Sequence, residues 1–283
     1  MIPEPRLKRR PGRFTWMARA FLLAGLLLAY ACIEPFWIDV KTVRIAGADV
    51  PARFDGTRIA FVSDIHHGPY FSRPRLRRLV QRVNALQPDL ILLGGDYIHR
   101  SARYIQRCFA ELAHLRAPLG VYGVLGNHDH WADAAMTRGA MAEAGIRPLD
   151  NRGCWICRGD QRIRLGGVGD LWTDVQDFGP ALAGTRAGDF TILVSHNPDF
   201  VAEAAAYAGR IDLVLSGHTH GGQVTLFGLW APIVPSRYGQ KYRTGVIAAP
   251  GMKIVVSNGV GTITPPVRFF ARPQIVLVVL RAI

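Results

Sequence analysis

Five short polar clusters carry the residues of this chain that are best suited to chemistry. Each cluster follows a predicted apolar strand, and together they hold five of the nine histidines. The clusters are Asp64-Ile65-His66, Gly95-Asp96, Gly126-Asn127-His128-Asp129, Ser195-His196-Asn197 and Gly217-His218-Thr219-His220. In open α/β sheets, ligands bind just outside the carboxyl ends of the strands. We therefore predict that five strands converge on one site.

The donor atoms of these clusters are nitrogen and oxygen, which suit divalent ions such as Mn, Fe or Zn. Seven candidate ligands exceed what one tetrahedral ion needs, and they fit two ions that share a carboxylate such as Asp96. The seven are Asp64, His66, Asp96, Asn127, His196, His218 and His220. Paired metals about 3.5–4 Å apart hydrolyse phosphate esters by stabilising both the attacking and the leaving oxygen.

A structural explanation of these clusters has to account for all five of them at once. A single Gly-Asp after a strand is often just a turn or a helix cap, and a single histidine is more often structural than a ligand. Five such coincidences at five strand ends favour a functional explanation. The other four histidines, His67, His99, His114 and His130, are interpreted as structural or surface residues. Of these, His67 and His130 are weaker candidates for substrate contact.

Short apolar strands alternate with amphipathic helices from about Val40 onward. Strands are predicted at 57–63, 89–93, 120–125, 190–194, 212–215 and 275–280, and helices at 75–86, 104–115, 131–144 and 199–208. After Gly221 the pattern is mostly β. The alternation predicts the α/β class, with sheets covered by helices, a mixed second sheet and one domain spanning 40–283.

Residues 14–38 are predicted to be a membrane anchor or a signal segment. The stretch 20–33 contains no charge, and extension back to Phe14 gives twenty mostly apolar residues. This length is sufficient for a transmembrane helix if Arg19 reaches back to the interface. Trp16 and Trp37 flank the stretch, as interfacial aromatic residues do.

The basic flank 1–13 predicts the orientation of this anchor. By the positive-inside tendency the flank stays in the cytoplasm, and the body lies on the outer side of the inner (cytoplasmic) membrane. A cleaved signal remains open because Ala29-Tyr30-Ala31 has the small-x-small form, and Cys32 after it suggests a lipoprotein. Arg9-Arg10 is a twin-arginine pair, but the following Pro11-Gly12-Arg13 does not fit such a signal. A helix lying in one leaflet would place the body on the cytoplasmic face.

The net charge of +13 suits anionic lipids, phosphate-bearing substrates or nucleic acid. The N-terminal segment and the lack of an appended nucleic-acid module argue against a nuclease, so no nucleic-acid partner is expected. Cys154 and Cys157 lie three apart in a predicted hairpin strand, and such residues point to opposite faces. We therefore expect neither a disulfide nor a zinc site from this pair, since no second CxxC exists.

The order and spacing of the clusters resemble those of the calcineurin-like metallophosphoesterases, with D-x-H, GD, GNHD, H and GHxH over about 58–223. The resemblance implies a four-layer α/β/β/α sandwich and two divalent metal ions. One ion would be held by Asp64, His66, Asp96 and His220, and the other by Asp96, Asn127, His196 and His218. His128 would lie near the phosphate and the leaving group, with Asp129 orienting its ring.

Further stretches resemble the membrane-associated bacterial branch of this family: GHTHGGQ at 217–223, VSHNP at 194–198, and the tail 257–261 through 266–270. Some members resemble UDP-2,3-diacylglucosamine pyrophosphatases of lipid A biosynthesis. Others resemble general cell-envelope phosphodiesterases. The resemblance implies hydrolysis of a phosphodiester or pyrophosphate bond by a bridging hydroxide between two metals, manganese among them. A nuclease-type phosphodiesterase and a non-catalytic metal-binding scaffold are the rival interpretations.

The segment 224–243 follows the last candidate ligands and combines large apolar residues, two prolines and three basic residues. We predict that it lines a substrate channel and enters a membrane interface. A buried loop packed on the second sheet is an equally good interpretation. Trp230 and Arg268 are predicted to contact the substrate, which would be a phosphate-containing small molecule or a lipid-linked compound.

Overall fold

The computed structural model describes residues 13–283. The predicted basic flank 1–13, apart from Arg13, therefore lies outside the described residues. Twelve strands within the described part form two six-stranded sheets. The strands are β1 (Asp39–Gly47), β2 (Arg58–Val62), β3 (Leu90–Leu93), β4 (Val121–Gly123), β5 (Arg147–Pro148), β6 (Arg152–Arg158), β7 (Gln161–Gly167), β8 (Thr191–Val194), β9 (Leu213–Ser216), β10 (Gly245–Ala249), β11 (Met252–Val256) and β12 (Gln274–Ala282).

Parallel pairing dominates the centre of each sheet. The first sheet has the order β1-β12-β2-β3-β4-β5, and only β12 and β2 pair antiparallel. The second has the order β10-β11-β9-β8-β7-β6, and its two edge strands pair antiparallel. The parallel strands β2, β3 and β4 end at one edge, and β8 and β9 end at the matching edge of the other sheet. Every polar cluster of the sequence follows one of these five strands.

Six α-helices among residues 13–283 complete the fold, and five of them cover the outer faces of the sheets. Their bounds are α1 (Arg13–Ile33), α2 (Arg73–Ala85), α3 (Ile105–Leu112), α4 (Asn127–Glu143), α5 (Phe178–Ala181) and α6 (Val201–Ala204). Ile59 and Phe61 of β2 enter the core between the two sheets, whereas Ala60 and Val62 pack under α2 and α3. Val214 of β9 faces α6 in the same way. The predicted four-layer α/β/β/α sandwich is confirmed.

Two predicted helices differ from the observed ones. The helix predicted at 199–208 is reduced to α6 between two 3-10 turns. The helix predicted at 131–144 is preceded by a short helical segment that begins at Asn127, and the two are joined by a kink at Asp133, where φ is −179°. Asp129 accepts a hydrogen bond from the Gly126 amide and caps the first turn of that segment. Cys154 and Cys157 lie in β6, the first half-buried and the second exposed, and both are free.

The N-terminal helix differs from all the others in its exposure. Trp16–Phe36 is long and apolar enough to cross a membrane, and its large apolar side chains from Trp16 to Leu28 are exposed. Only its end is in contact with the body. The amide of Arg268 donates to the Ala31 carbonyl at 3.0 Å, and the buried Glu34 carboxylate accepts from the amides of Phe270 and Ala271 at 2.7 Å each.

Candidate dinuclear metal centre

All seven candidate metal ligands lie within one buried cluster at the adjoining sheet edges. β2 leads into Asp64 and His66, β3 into Asp96, and β4 into Asn127 at the start of α4. β8 leads into His196, and β9 into His218 and His220. Each of the seven side chains is at most 5% exposed. The two sheets therefore bring together the residues that the spacing of the motifs predicted to converge.

The first group of ligand atoms belongs to Asp64, His66, Asp96 and His220. The Nε2 atoms of His66 and His220 are 3.0 Å apart. Asp64 Oδ1 lies 3.6 Å from His220 Nε2, and Asp96 Oδ2 lies 3.5 Å from His66 Nε2. Metal–ligand bonds of about 2.0–2.2 Å place neighbouring ligands roughly 3.0–3.5 Å apart, so these donors fit around one ion.

The second group belongs to Asp96, Asn127, His196 and His218. His196 Nε2 lies 3.2 Å from Asn127 Oδ1, 3.2 Å from His218 Nδ1 and 3.4 Å from Asp96 Oδ2. The other ring nitrogen of His196 contacts the Gly94 carbonyl at 2.7 Å. If the ring carries its proton on Nδ1, the Nδ1–H group donates to that carbonyl, and the Nε2 lone pair remains free to bind a metal ion. Asp96 Oδ2 belongs to both groups, which is the position of a bridging carboxylate.

Burial and charge in the cluster also fit two cations. Burial lowers the pKa of His66 and His220 well below the ordinary value and that of His218 to about 3. Neutral rings keep the lone pairs that metals bind. Burial acts in the same direction on His196, but the carboxylates of Asp96 and Asp64 raise its pKa well above the ordinary value. The site thus favours positive charge beside Asp96, which a bound cation supplies.

The backbone of the cluster is strained at five of the seven candidate ligands. These have a left-handed φ between 48° and 68°: Asp64, His66, Asp96, His218 and His220. A non-glycine residue in this region costs about 1–3 kcal/mol and is retained when its surroundings compensate. The loops compensate by bonding to each other, since the His66 amide donates to the Asp96 carbonyl at 3.0 Å and the His218 amide to Asp64 Oδ1 at 3.0 Å.

Glycine allows two of these loops to approach the ligands. A Cβ on Gly126 would overlap Asp96 and His196, and a Cβ on Gly217 would overlap Asp64. Neither overlap can be relieved by moving a flexible surface side chain, because all three neighbours are fully buried candidate ligands. The glycines of GNHD and GHTH are therefore required by the close packing of the cluster.

Contrary to the prediction, the Asp129 carboxylate makes no hydrogen bond to the His128 ring. Its Oδ2 accepts from the amides of Gly126 and Asp96 at 2.9 and 2.8 Å, and its Oδ1 accepts from the Tyr97 amide at 2.9 Å. Within the described residues 13–283, His128 Nδ1 is buried without a hydrogen-bond partner. Three amides thus occupy the carboxylate, and Asp129 joins the loop that carries Asp96 to the loop that begins α4.

His128 lies beside the ligand His66, and its other ring neighbours are residues that the motifs did not indicate. Its ring centroid is 4.6 Å from that of His66, 4.8 Å from Trp131 and 5.8 Å from His99. On the opposite side, the Trp172 ring lies 4.3 Å from His218. His99, interpreted above as structural, has a buried Nδ1 that is unpaired within the described chain. Its position in the loop just after Asp96 was the available signal.

Arg268 lies behind the cluster rather than in its mouth, contrary to the predicted substrate contact. Its side chain is fully buried. The guanidinium donates to backbone carbonyls at distances from 2.6 to 3.5 Å, and these belong to His220, Asn258, Gly259, Gly261 and Ala271. A buried cation needs such partners, and the result is that Arg268 supports the loop of His220.

The segment 224–243 is packed at its ends and exposed in its middle. Its ends are packed, since Thr225 and Arg243 are buried and the Arg243 guanidinium donates to the Gly221 carbonyl at 2.9 Å. Its middle is exposed, with Leu229 at 83% and Ile233 at 77%. Trp230 is half exposed at the turn 226–230. Beside His220, the segment lines a mostly apolar groove of about 150 Å³, whose walls include Val224, Pro232, Ile233, Pro235 and Ile263.

A larger cleft of about 610 Å³ opens elsewhere, between the ends of β1 and β10. Its walls include Glu34, Lys41, Asn258 and Arg272, and none of the seven clustered ligands lines it. The larger cleft and the cluster of candidate metal ligands therefore lie at different places in this protein. The convergent donors, and not the size of the cleft, identify the reactive centre.

Comparison with known proteins gives a consistent result. The family model described as calcineurin-like phosphoesterase matches residues 57–222. The metallophosphoesterase YkuE of Bacillus subtilis is 32% identical over 276 residues, which cover 96% of each chain. The phosphodiesterase YaeI of Escherichia coli is 28% identical over 86% of this chain and 88% of its own. A transmembrane protein with a metallophosphoesterase domain from Bos taurus is 29% identical over 98% of this chain and 64% of its own.

The matched region 57–222 is more than half of the chain and contains all seven clustered ligands. The clusters Asp64-His66-His220 and Asp64-Asp96-His196 within it have ligand atoms close enough to hold metal ions. This chain therefore belongs to the calcineurin-like phosphoesterases, hydrolases that use two divalent metal ions.

Proposed function

We propose that this protein hydrolyses a phosphodiester or pyrophosphate bond at a dinuclear metal centre. The observation that carries the proposal is the position of Asp96 Oδ2, which lies between His66 Nε2 and His196 Nε2 at 3.5 and 3.4 Å. The first ion is assigned to Asp64, His66, Asp96 and His220, and the second to Asp96, Asn127, His196 and His218. When bound, two divalent ions such as Mn, Fe or Zn lower the pKa of water and neutralise phosphate charge.

His128 is assigned to the leaving oxygen of the substrate. Its ring borders the cluster beside His66, and its amide donates to Asp96 Oδ1 at 2.9 Å, which leaves Asp96 Oδ2 for the metals. Burial lowers the pKa of the His128 ring, whereas an anionic phosphate beside it favours the charged form. The substrate thus opposes the effect of burial, and the ring is able to donate a proton to the leaving oxygen or to stabilise its charge.

The substrate class proposed is a lipid-linked phosphate compound such as UDP-2,3-diacylglucosamine, as in the membrane-associated bacterial branch. Support comes from the apolar groove beside His220, where Val224, Ile233 and Pro235 would contact a hydrocarbon chain. An apolar surface of this kind, next to a metal centre that would bind phosphate, suits an amphipathic substrate better than a purely polar one.

The proposed location is the inner membrane, with 14–38 as a single anchor and the body on the outer side. The apolar, unburied helix supports the anchor, and the basic flank supports the orientation. A nucleotide-linked lipid precursor is made on the cytoplasmic side, so this substrate and this orientation compete. A cytoplasmic body with the helix in one leaflet resolves the conflict. Protease accessibility of the body in spheroplasts distinguishes the two orientations.

A second candidate is a general cell-envelope phosphodiesterase with a small substrate. One observation favours it: the ring of Trp131 near His128 and the ring of Trp172 near His218 flank the cluster, and both side chains are about half exposed. Such rings provide flat surfaces for a compact organic group. In addition, the Escherichia coli relative is named a phosphodiesterase.

The test is a substrate screen with the full-length protein and added Mn²⁺, Fe²⁺ or Zn²⁺. Substrates are UDP-2,3-diacylglucosamine, a phospholipid and bis-p-nitrophenyl phosphate. His114→Ala is the matched control for His128→Ala, because His114 is an exposed histidine on α3's C-terminal turn. We expect hydrolysis that the His128 variant loses and the His114 variant keeps. A metal-loaded protein that cleaves none of these, or a His128 variant that is fully active, would overturn the proposal.

A further inference from the structure

The N-terminal helix is fixed rigidly to the body at its end. Glu34 is fully buried, and both of its carboxylate oxygens accept backbone amides, from Phe270 and Ala271. The Ala31 carbonyl accepts the Arg268 amide one turn earlier. Ala31 of α1 and Glu34 in the 3-10 turn after it accept hydrogen bonds from one loop, and these set the direction of α1 relative to the body. A membrane that holds α1 would therefore meet a definite face of the body.

That face is apolar and surrounds the end of α1. We call it the apolar face and define it by six exposed side chains: Phe36, Trp37, Phe227, Leu229, Trp230 and Phe270. The Tyr30 ring of α1 contacts Trp37 at 5.9 Å and Phe270 at 5.2 Å, and Phe270 contacts Phe227 at 5.3 Å. Leu226 and Trp230 pair through their backbones, so that Leu229 lies in the same turn.

The exposed apolar residues of the described body are concentrated near this place. Outside α1, ten of sixteen exposed large apolar side chains fall in 36–37, in 224–238 or at Phe270. Isolated apolar residues on a surface need no explanation, but a contiguous patch marks a contact site. The contact would have to cover both the helix and the loop at once.

The length of the helix places this face at the level of a bilayer surface. The 21 residues of Trp16–Phe36 span about 31 Å as a helix, close to the roughly 30 Å of a hydrocarbon core. Tyr30 precedes the end of that span by six residues, about 9 Å along a helix. The side chains in contact with Tyr30 therefore lie at or below the level at which the span leaves the hydrocarbon.

Basic residues lie at the rim of the apolar face. The Arg75 guanidinium lies 4.4 Å from the centre of the Phe36 ring, and that of Arg272 lies 5.4 Å from the Trp37 ring. Aromatic and apolar side chains bordered by arginine suit a bilayer with anionic headgroups. A second copy of this chain would bring the same positive charges together, so a lipid surface is the occupant that the charges favour.

We propose that the apolar face enters the interfacial layer of the membrane that holds α1, with Leu229 at its tip. The exposed Arg272 then contacts lipid phosphates, and the groove beside His220, which shares the segment 224–235 with this face, opens towards the bilayer. This inference rests on the proposed membrane attachment. It adds to that proposal a defined lipid-contacting surface on the body, and a short path from the lipid to the metal centre.

The test measures the depth of nitroxide labels in full-length protein in nanodiscs of phosphatidylglycerol and phosphatidylcholine. Cys32, Cys154 and Cys157 are first replaced by serine. Single labels are then introduced by Leu229→Cys and Leu23→Cys, the second being in the middle of α1. The matched control is Val175→Cys, an apolar residue that is 72% exposed in a loop bonded to Asn151, away from the apolar face.

We expect the Leu229 label to be several-fold more accessible to oxygen than to a water-soluble nickel chelate, and the Val175 label to show the reverse. A Leu229 label in water beside a Leu23 label in lipid would reject the apolar face while leaving the anchor intact. A Leu23 label in water would reject the anchor itself. Spin–spin broadening at Leu229 between copies would assign the face to a dimer and also overturn the proposal.

A functional arm uses Leu229→Asp with Val175→Asp as control, both in proteoliposomes. The Leu229 variant should lose several-fold activity on a phosphate lipid embedded in the vesicle and keep its activity on soluble bis-p-nitrophenyl phosphate. Equal loss on both substrates would show that the loop supports the fold and does not contact lipid.

Discussion

The motif loops and the segment 224–243 adjoin one another, yet they are constructed in opposite ways. The loops bury seven polar ligands and bind each other through backbone amides, as between His66 and Asp96. The segment is fastened at its ends by residues such as Arg243 and exposes apolar side chains such as Leu229 in its middle. The loops are therefore held by each other, whereas the middle of the segment is held by few contacts and leaves its apolar side chains exposed.

This difference separates reaction from recognition. A change in the loops should alter hydrolysis of every substrate, since all substrates use the same metals. A change in the middle of the segment should alter only substrates that have an apolar part. The ratio of activities on acylated and soluble substrates is therefore the quantity that distinguishes the two regions.

The largest effect is expected for Asp96→Asn. The amide has one oxygen and no charge, so it cannot bridge two cations in the way proposed for the carboxylate. Two metals supply several kcal/mol of charge stabilisation, so activity on every substrate should fall on the order of 10³-fold or more. Elemental analysis should show most of the metal gone. Two ions still bound to this variant would refute the bridging assignment.

His128→Ala should rank next, with a loss of about 10²–10⁴-fold and nearly unchanged metal content. Its ring borders the ligands without belonging to either group. If it assists the leaving oxygen, the loss should be smaller for p-nitrophenyl esters than for alkyl esters. The same loss for good and poor leaving groups would argue against proton donation. His114→Ala again provides the control.

Asp129→Asn should have a smaller effect, and of another kind. Its carboxylate accepts three amides, and an asparagine would turn an NH₂ group towards one of them. The loops of Asp96 and Asn127 would then separate slightly, and we expect metal affinity to fall by about 10–100-fold. Excess metal should restore much of the activity. A variant with full metal affinity and the leaving-group pattern of His128→Ala would instead show that Asp129 orients that ring.

Much of this fold could be predicted because apolar periodicity directly reports burial. β2 and β3 are continuous apolar runs, as expected of strands covered on both faces, and the motifs follow such strands. The convergence of seven donors followed from that placement alone. The predictions that failed concern partners that no local pattern encodes. Arg268 and Asp129 both have types suited to catalysis, but backbone groups distant in sequence occupy them.

Other features depend on geometry that a sequence does not display. The left-handed backbone at Asp64 and His218 is maintained by contacts between separate loops, and such a backbone is uncommon at residues other than glycine. The loop after Asp96 brings the His99 ring close to that of His128, and a loop distant from every motif brings Trp172 against His218. Residue type and spacing identified the chemistry, and tertiary packing determined which neighbours can modify it.

The smallest effect is expected for Ile233→Ser, and it tests recognition by itself. Ile233 is mostly exposed but borders the groove beside His220, so a bound hydrocarbon chain would cover it. Burial of one methylene group is worth about 0.8 kcal/mol, and the loss of one or two such contacts should lower kcat/KM about four- to fifteenfold on an acylated substrate relative to its deacylated form. Val175→Ser also replaces an exposed apolar side chain by serine, but outside the groove, and it should leave the ratio of kcat/KM on the acylated and deacylated substrates unchanged. A ratio unaffected by Ile233→Ser would show that the acyl chain takes another route, and the two flanking tryptophans would then be the recognition surface to examine.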